Sequence, residues 1–236
     1  MSVTLQEKEH PLLADIQTTE QIGITRYSRF LMTQIETHDF SDQRVIDFGS
    51  GSGVMGVQAA LQGARDVTFL DKNPDALTLS MRNAKALMPS ETNWSVGGDI
   101  DPLHTRVDGQ FDAIISNPSS LPTLGAGKDE EAFYDGGHDG TFMIEAMIEL
   151  GQRTLRPGGE LHFLLTSLVD YQTILQRLGQ EFRAIQVRAV TQFEFRPHYF
   201  EHIPHWRNLR DQKSTFFFSD GDKNVELVFY VVATHP

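Results

Sequence analysis

Residues 45–53 of the chain read Val-Ile-Asp-Phe-Gly-Ser-Gly-Ser-Gly. The apolar start of this stretch is typical of a short buried strand, and the apolar run 54–61 that follows predicts a helix. Three alternating glycines allow tight turns with positive φ and a close approach of a ligand to the backbone. The stretch therefore predicts an α/β sheet that holds a nucleotide-like ligand at the carboxyl end of a strand.

The rest of the chain alternates between strand and helix patterns, which is typical of βαβ units and a parallel sheet. Because we find no helix pattern between the last two strands, we expect these two to pair antiparallel. The fold class is thus α/β, a doubly wound Rossmann-like sheet of seven strands whose last strand is antiparallel. The expected strands are 45–48, 67–70, 94–96, 111–116, 161–165, 187–195 and 225–233, with a turn over Arg156-Pro157-Gly158-Gly159 before the fifth.

Length and composition indicate one folded domain. The chain has 236 residues, of which 39% are hydrophobic and 22% charged, a balance typical of globular proteins. We expect a single domain over 1–236, in which residues 1–43 form an irregular lead and a helix. Residues 198–222 form an insert between the last two strands, and connections of this length are usually functional or disordered. Its aromatic residues indicate that it is packed.

Composition also excludes several classes of function. The chain has no cysteine, which excludes disulfides, thiolate zinc sites and cysteine nucleophiles. It has neither a secretory signal pattern nor 18 consecutive apolar residues, so we expect a cytoplasmic protein without a membrane span. The net charge of −12 disfavours a diffuse grip on a nucleic-acid backbone, although one local basic face would still permit it.

Acidic residues at the expected strand ends predict the ligand contacts. Asp47 precedes the glycines and suits a cationic ligand end, such as a sulfonium amino acid, whereas a pyrophosphate prefers bare backbone amides. Asp71 ends the second strand and can accept both hydroxyls of a ribose, and Asp99 ends the third and can reach an adenine amino group. A G-x-G-x-x-G pattern starts at Gly51, but Gly49 is the glycine that follows the strand, so an NAD-dependent reductase is the weaker alternative.

Four segments in order, VIDFGSGSG, FLDKNPDA, GGDIDPL and FDAIISNPSSLP, resemble the motifs of class I S-adenosylmethionine-dependent methyltransferases. The resemblance covers about Arg44 to Thr166. It implies the class I methyltransferase fold and S-adenosyl-L-methionine as the cofactor. The cofactor-binding residues that it implies are Asp47, Gly49, Ser50, Gly51, Gly53, Asp71, Lys72, Asp99 and Asn117.

Residues 116–122, Ser-Asn-Pro-Ser-Ser-Leu-Pro, resemble the Asn-Pro-Pro-Tyr segment of N-methyltransferases that act on a release-factor glutamine or on base amines. The resemblance implies that Asn117 and Pro118 are catalytic. An asparagine oxygen and the next backbone carbonyl can accept hydrogen bonds from an acceptor N–H group and so turn the nitrogen lone pair toward the methyl. Ser119-Ser120 replaces the Pro-Tyr whose ring stacks on a planar acceptor, which counts against a nucleobase, weakens the amide interpretation as well, and suits a smaller polar substrate. Residues 134–140 resemble the glycine-rich segment that follows in the same families.

The acceptor stays open between several classes. Residues 91–140 contain ten acids and two bases, which favours a cationic or neutral acceptor over a phosphate backbone. Residues 1–43 are too short for the helical domain that precedes the bacterial release-factor enzymes. We expect methyl transfer to a nitrogen of a protein side chain or small molecule. The alternatives are an RNA or DNA base methyltransferase and a non-catalytic, cofactor-binding partner subunit.

Three histidines of the insert lie close together in sequence: His198, His202 and His205. Their spacing suits one face of a helix, but Pro197 and Pro204 interrupt such a helix, and we expect no metal site there. A hydroxyl acceptor would need a general base. His138 and His198 are the first candidates for it.

Overall fold

The computed structural model describes residues 10–98, 107–124, 134–212, 215–220 and 223–236. Within these residues the helices are α1 (Arg26–Ile35), α2 (Val54–Leu61), α3 (Pro74–Leu87), α4 (Phe142–Thr154), α5 (Tyr171–Glu181) and α6 (Ile203–Asp211). The strands are β1 (Arg44–Phe48), β2 (Asp66–Leu70), β3 (Asn93–Gly97), β4 (Phe111–Ser116), β5 (Leu155–Thr166), β6 (Ala184–Glu194), β7 (Phe218–Asp220) and β8 (Lys223–Thr234). Two 3-10 turns cover Pro11–Ala14 and Pro197–His202.

The strands form one sheet in the order β3-β2-β1-β4-β5-β8-β6, with the short β7 paired to β8. Strands β1 to β5 are parallel, and β8 runs antiparallel to its neighbours β5 and β6. The α/β fold and the antiparallel last strand predicted from the sequence are confirmed. The strand order reverses between β1 and β4, and such a reversal opens a crevice at the carboxyl ends of the strands.

Two hydrophobic clusters cover the two faces of the sheet. One packs α1, α2 and α3 against one face, and the other packs α4 and α5 against the opposite face. Neighbouring strand residues serve opposite clusters, as Val45 and Ile46 do on β1, because successive side chains of a strand alternate between faces. Within the described chain no helix combines the length and the apolar character that crossing a membrane requires.

The turn predicted over residues 156–159 lies inside β5. Phe111 pairs with Leu155, and Ala113 pairs with Glu160, so four residues of β5 bulge opposite one residue of β4. Gly158 has a φ of +80° within this bulge, a conformation that glycine adopts readily. The glycines therefore form a bulge inside the continuous strand β5. The sequence predicted instead a turn at residues 156–159, followed by a shorter strand.

The connection between β6 and β8 contains a helix that the sequence analysis did not predict. Pro204 lies in the first turn of α6, and Pro197 lies at the start of the preceding 3-10 turn. Proline is favourable there because its missing N–H has no intrahelical partner in the first turn. The two prolines thus begin helical segments, and the prediction that they interrupt a helix is wrong. The fully buried Trp206 packs this segment against Phe195 and Tyr199, in agreement with the expected packed insert.

Helix α2 lies unusually close to strand β2, and Gly56 allows this approach. A Cβ atom at Gly56 would lie 2.8 Å from a methyl of Val67 and also inside contact distance of the Phe69 ring. Both neighbours are buried strand residues that cannot move aside freely. The close contact sets the position of α2, and with it the end of the glycine loop (residues 49–53).

We therefore expect Gly56→Ala to destabilise the fold, although glycine to alanine in a helix usually stabilises. Overpacking costs about 1–3 kcal/mol, measured as the free energy of unfolding in urea. Gly179→Ala in the exposed face of α5 is the matched control, since a Cβ there meets nothing within 4 Å. That variant should gain up to about 1 kcal/mol. Equal effects of the two substitutions would contradict the packing described for α2.

Candidate functional site

A cavity of about 750 Å³ lies at the carboxyl ends of β1, β2 and β4. Its wall combines the glycine loop, the segment after β4, residues at the start of α1, and side chains from the C-terminal part of the chain. Small-molecule sites usually have volumes of about 300–1,000 Å³. The cavity is thus large enough for a nucleoside-sized ligand together with a second reactant.

The three glycines of the loop have φ values of +69°, +53° and +76° at Gly49, Gly51 and Gly53. Residues other than glycine rarely adopt this conformation. At Gly49 an added Cβ would meet nothing within 4 Å, because this residue borders the open cavity. At Gly53 it would lie 3.0 Å from the backbone of Ser80, because this residue packs against α3. The loop therefore offers bare backbone on one side and close packing on the other.

Asp47, at the end of β1, lies in the cavity wall and is 2% exposed. Its Oδ2 atom accepts a hydrogen bond of 2.9 Å from the backbone N–H of Gly56 in α2. Burial raises the pKa of Asp47 to about 8, although this hydrogen bond acts in the opposite direction. The side chain thus ties β1 to the first turn of α2, a role that the sequence analysis did not predict.

Asp71 follows β2 and reaches across to the glycine loop. Its Oδ2 accepts from the N–H of Gly51 at 2.8 Å, and its Oδ1 accepts from the N–H of Asn73 at 2.9 Å. Burial raises its pKa, and the hydrogen bonds oppose the shift. Each carboxylate oxygen has a further lone pair, so the residue retains capacity to accept from a ligand.

The other predicted cofactor residues fall into two groups. Ser50 and Lys72 line the cavity beside the two carboxylates, and the Ser50 hydroxyl lies 3.1 Å from that of Ser80. Asp99 lies outside the described residues. The sequence prediction for the adenine end therefore stays a prediction.

Asn117 follows β4 and is held by the start of α1. Its Nδ2 donates to the hydroxyl oxygens of Ser28, at 3.1 Å, and Thr25, at 3.4 Å. Because the Nδ2 end of the amide faces α1, the Oδ1 end faces away from that helix. Thr25 is also the N-cap of α1, so the same hydroxyl positions both the helix and the asparagine. The sequence predicted Asn117 and Pro118, both of which line the cavity, but contained no local signal for these two hydroxyls.

Two aromatic rings lie next to residues 117–121, the segment in which Ser119-Ser120 replaces Pro-Tyr. The Tyr134 backbone carbonyl accepts from the N–H of Leu121, which places Tyr134 beside residues 117–121. The Tyr134 ring stacks on His198 with centroids 5.1 Å apart and an interplanar angle of 24°. Both side chains line the cavity. Planar groups from two distant parts of the chain thus stand near the segment in which serines replace the aromatic residue.

A polar cluster centred on the buried Glu226 also includes Arg26, Tyr27 and Tyr199, and it lies next to His198, whose ring contacts that of Tyr199. The Oε1 atom of Glu226 accepts from the Tyr27 hydroxyl and lies 3.3 Å from the Arg26 guanidinium. The Tyr27 and Tyr199 hydroxyls are 2.7 Å apart. Burial raises the pKa of Glu226 to about 7, while Tyr27 and Arg26 oppose the shift.

Glu226 could have been found in the sequence. The alternation of β8 places it on the same face as Val228 and Tyr230, which are both buried. An acid on the buried face of a strand needs a partner. Its partners Tyr27 and Tyr199, however, come from elements far away in the sequence.

The three histidines of the insert have separate protein contacts. His202 stacks on Trp206, and His205 Nε2 donates to the backbone carbonyl of His138 at 2.6 Å. His198 faces the cavity, as described for the Tyr134 stack. Among the described residues His138 does not line the cavity, so of the two candidate bases the structure brings His198 alone to the site.

The family model for the methyltransferase small domain matches residues 23–194 of the chain. The ribosomal protein L11 methyltransferase of Cellvibrio japonicus is 47% identical over 110 residues, which cover 42% of this chain and 35% of that protein. The release factor glutamine methyltransferase of Deinococcus radiodurans is 35% identical over 127 residues, 50% of this chain and 44% of that protein. The release factor glutamine methyltransferase of Gloeobacter violaceus is 33% identical over 163 residues, which cover 62% of this chain and 54% of that protein. The matches span about half or less of these relatives.

Solved structures show the same fold at low sequence identity. Precorrin-6y C5,15-methyltransferase from Geobacter metallireducens has a TM-score of 0.56 at 15% identity and covers 94% of this chain and 95% of its own. The 16S rRNA N2 G1207 methyltransferase of T. thermophilus, solved with AdoMet and guanosine, has a TM-score of 0.54 at 14% identity. It covers 91% of this chain and 44% of its own.

The buried Glu226 predicts a pH effect on stability. Its pKa is raised from 4.5 to about 7, so the folded protein holds a proton that the unfolded chain has lost. Stability therefore falls as pH rises from about 4.5 to about 7, by up to about 3 kcal/mol. In Glu226→Gln this contribution should be absent, and urea unfolding between pH 4.5 and 8 measures the difference. The control Glu194→Gln, an exposed glutamate on β6, should keep the wild-type slope. An unchanged slope in Glu226→Gln would contradict the assignment.

Proposed function

Since this chain belongs to the methyltransferase small domain family, we propose that it transfers a methyl group from S-adenosylmethionine to a nitrogen atom. The acceptor is a planar nitrogen, above all the amide of a protein side chain or of a small molecule. The observation that carries the proposal is the position of Asn117. Its amide is fixed by two hydroxyls of α1 at the edge of the cavity, next to the glycine loop.

The residues around the glycine loop fit the cofactor. Gly49 borders open space, so the bare backbone can lie against the methionine part. Asp47 and Asp71 place two buried carboxylates at one end of the cavity, which suits a ligand that carries a sulfonium and an ammonium. Asp71 also has lone pairs left for ribose hydroxyls. The described residues proposed to hold the cofactor are Asp47, Gly49, Ser50, Gly51, Gly53, Asp71, Lys72 and Asn117.

When bound, the cofactor supplies a methyl group that is already a good electrophile. The protein therefore contributes mainly position and exclusion of water. An amide nitrogen is a poor nucleophile because its lone pair is delocalised. The Asn117 Oδ1 and the Pro118 carbonyl accept hydrogen bonds from the acceptor N–H group and hold the lone pair toward the methyl. In that transfer the acceptor nitrogen would exchange one N–H proton, released to water, for a bond to the methyl carbon, and the electron pair of the broken carbon–sulfur bond would stay with the thioether product.

A planar acceptor is supported by the stack of Tyr134 and His198. These rings offer the flat surface that Ser119 and Ser120 do not provide. The release factor glutamine methyltransferases among the relatives act, by name, on an amide side chain. Together these observations favour a glutamine-like amide as the first acceptor to test. They also keep a nucleobase as the competing planar acceptor.

Cofactor binding should depend on Asp71. S-adenosylhomocysteine at about 100 times its Kd should raise the Tm of the wild type by about 5–10 °C, because a ligand of the folded state stabilises it. Asp71→Ala should lose most of this shift while keeping a cooperative transition. NADH serves as the control ligand and should leave the Tm unchanged. A shift with NADH and none with S-adenosylhomocysteine would support the reductase alternative and contradict the proposal.

Turnover should depend on Asn117. Asn117→Ala should lower the transfer rate by at least about 100-fold, since a misplaced reactant can cost about that much, and should weaken S-adenosylhomocysteine binding far less than Asp71→Ala does. Ser28→Ala is the milder comparison. Its transfer rate should fall by only about 10-fold, because Asn117 keeps its Oδ1 atom and loses one of the two hydroxyls that hold its Nδ2 atom. A wild-type rate in Asn117→Ala would disprove the assigned role.

The acceptor class follows from the same assay with methyl-labelled cofactor and lysate split into protein, RNA and small molecules. Label in protein or small molecules that Asn117→Ala abolishes supports the proposal. Label in the RNA fraction would establish the nucleobase alternative. Cofactor binding without label in any fraction would indicate the non-catalytic partner subunit.

A further inference from the structure

We propose that His38, Glu160 and His162 form a binding site for one divalent transition-metal ion, with zinc as the best match. One ligand atom from each of these residues lies within 4.8 Å of the other two. Glu160 and His162 lie on the same face of β5, and His38 follows the C-terminal end of α1. None of the three residues lines the cavity, although Leu164, which does, lies two residues along β5 from His162, about 7 Å away.

The distance between the ligand atoms of His162 and Glu160 matches that expected for a tetrahedral zinc ion. His162 Nε2 lies 3.3 Å from Glu160 Oε2. Zinc bonds to imidazole and carboxylate are about 2.0–2.1 Å long, which separates two ligand atoms of a tetrahedron by about 3.3 Å. The ring of His162 is fully buried, and its Nε2 has no hydrogen-bond partner of suitable geometry. An unsatisfied buried nitrogen is costly, and a metal bond would satisfy it.

Neighbouring side chains hold two of the three ligand residues in place. His162 Nδ1 lies 2.8 Å from the Tyr230 hydroxyl, and when Nδ1–H donates to it, Nε2 presents its lone pair. The Arg188 guanidinium lies 3.6 Å from Glu160 Oε1, which leaves Oε2 on the side of the imidazoles. Metal-binding histidines and carboxylates in proteins are usually held by such outer contacts. The positive charge of Arg188 opposes the ion, but this side chain is 37% exposed and its field is screened by solvent.

The ligand set favours a transition-metal ion over calcium or magnesium. Two imidazoles and one carboxylate are borderline ligands that suit zinc, whereas calcium and magnesium prefer sets of oxygen atoms. Three protein ligands leave a fourth position for water. His38 and Glu160 are half-buried, so the ion can enter from solvent.

The position of the site gives the ion a structural role. Helix α1 supplies Thr25 and Ser28 to Asn117 at its first turn, and His38 follows its last turn. An ion shared by His38 and β5 would fix the C-terminal end of that helix against the sheet. Metal should therefore stabilise the protein without touching the cavity.

The test uses the full chain without a histidine tag, stripped with EDTA. One equivalent of Zn²⁺ is added, and the protein is desalted for metal analysis by mass spectrometry and for melting. The wild type should retain about one zinc per chain and gain several degrees in Tm. His38→Ala and Glu160→Gln change half-buried side chains and should fold, but they should lose most of the zinc and of the Tm gain. His202→Ala, which removes an imidazole of the insert, should behave as the wild type.

Cobalt adds a geometric readout, since four-coordinate Co²⁺ absorbs strongly in the visible range. The wild type should show this absorption and His38→Ala should not. The proposal is overturned if the wild type retains no zinc, or if His38→Ala and Glu160→Gln retain as much as the wild type. None of these measurements uses methyl transfer, so a negative result for the metal site would leave the proposed function untouched, and the reverse also holds.

Discussion

Two buried carboxylates hold the glycine loop, and the rest of the site depends on them. Asp47 joins β1 to α2 through Gly56, and Asp71 joins β2 to the loop through Gly51. Burial raises the pKa of both residues, and the nearby Asp71 adds to the rise at Asp47. Backbone N–H groups stabilise them in part. Burial disfavours the ionised forms of both side chains, and a cationic ligand beside them would stabilise these ionised forms.

Helix α1 joins the helix that follows this loop to Asn117 and to the polar cluster around Glu226. Its first turn holds Asn117 through two hydroxyls and contributes Arg26 and Tyr27 to the buried polar cluster. Further along, the Gln58 side chain of α2 donates to the backbone carbonyl of Met32 and fixes the two helices together. A displacement of α1 would therefore move both Asn117 and the polar cluster around Glu226. This coupling gives the segment before β1, expected as a lead and a helix, a direct part in the site.

Local patterns in the sequence predicted much of this arrangement. The strand, the glycines and the following helix are contiguous, and short-range physics decides their form, so the α/β fold and the loop followed directly. The bulge at Gly158 and the helix begun by Pro204 were missed because glycine and proline permit several local outcomes, and packing selects one. The polar cluster was missed because Tyr27 and Glu226 are 199 residues apart in sequence and meet only in the folded chain.

The proposed function requires a cofactor bound in the glycine loop with its methyl beside Asn117. A crystal structure with bound S-adenosylhomocysteine tests it most directly. We expect the sulfur in the cavity near the Asn117 amide, the amino-acid end over residues 49–53, and the ribose hydroxyls within hydrogen-bond distance of Asp71. An empty cavity, or a ligand bound elsewhere on the chain, would contradict it.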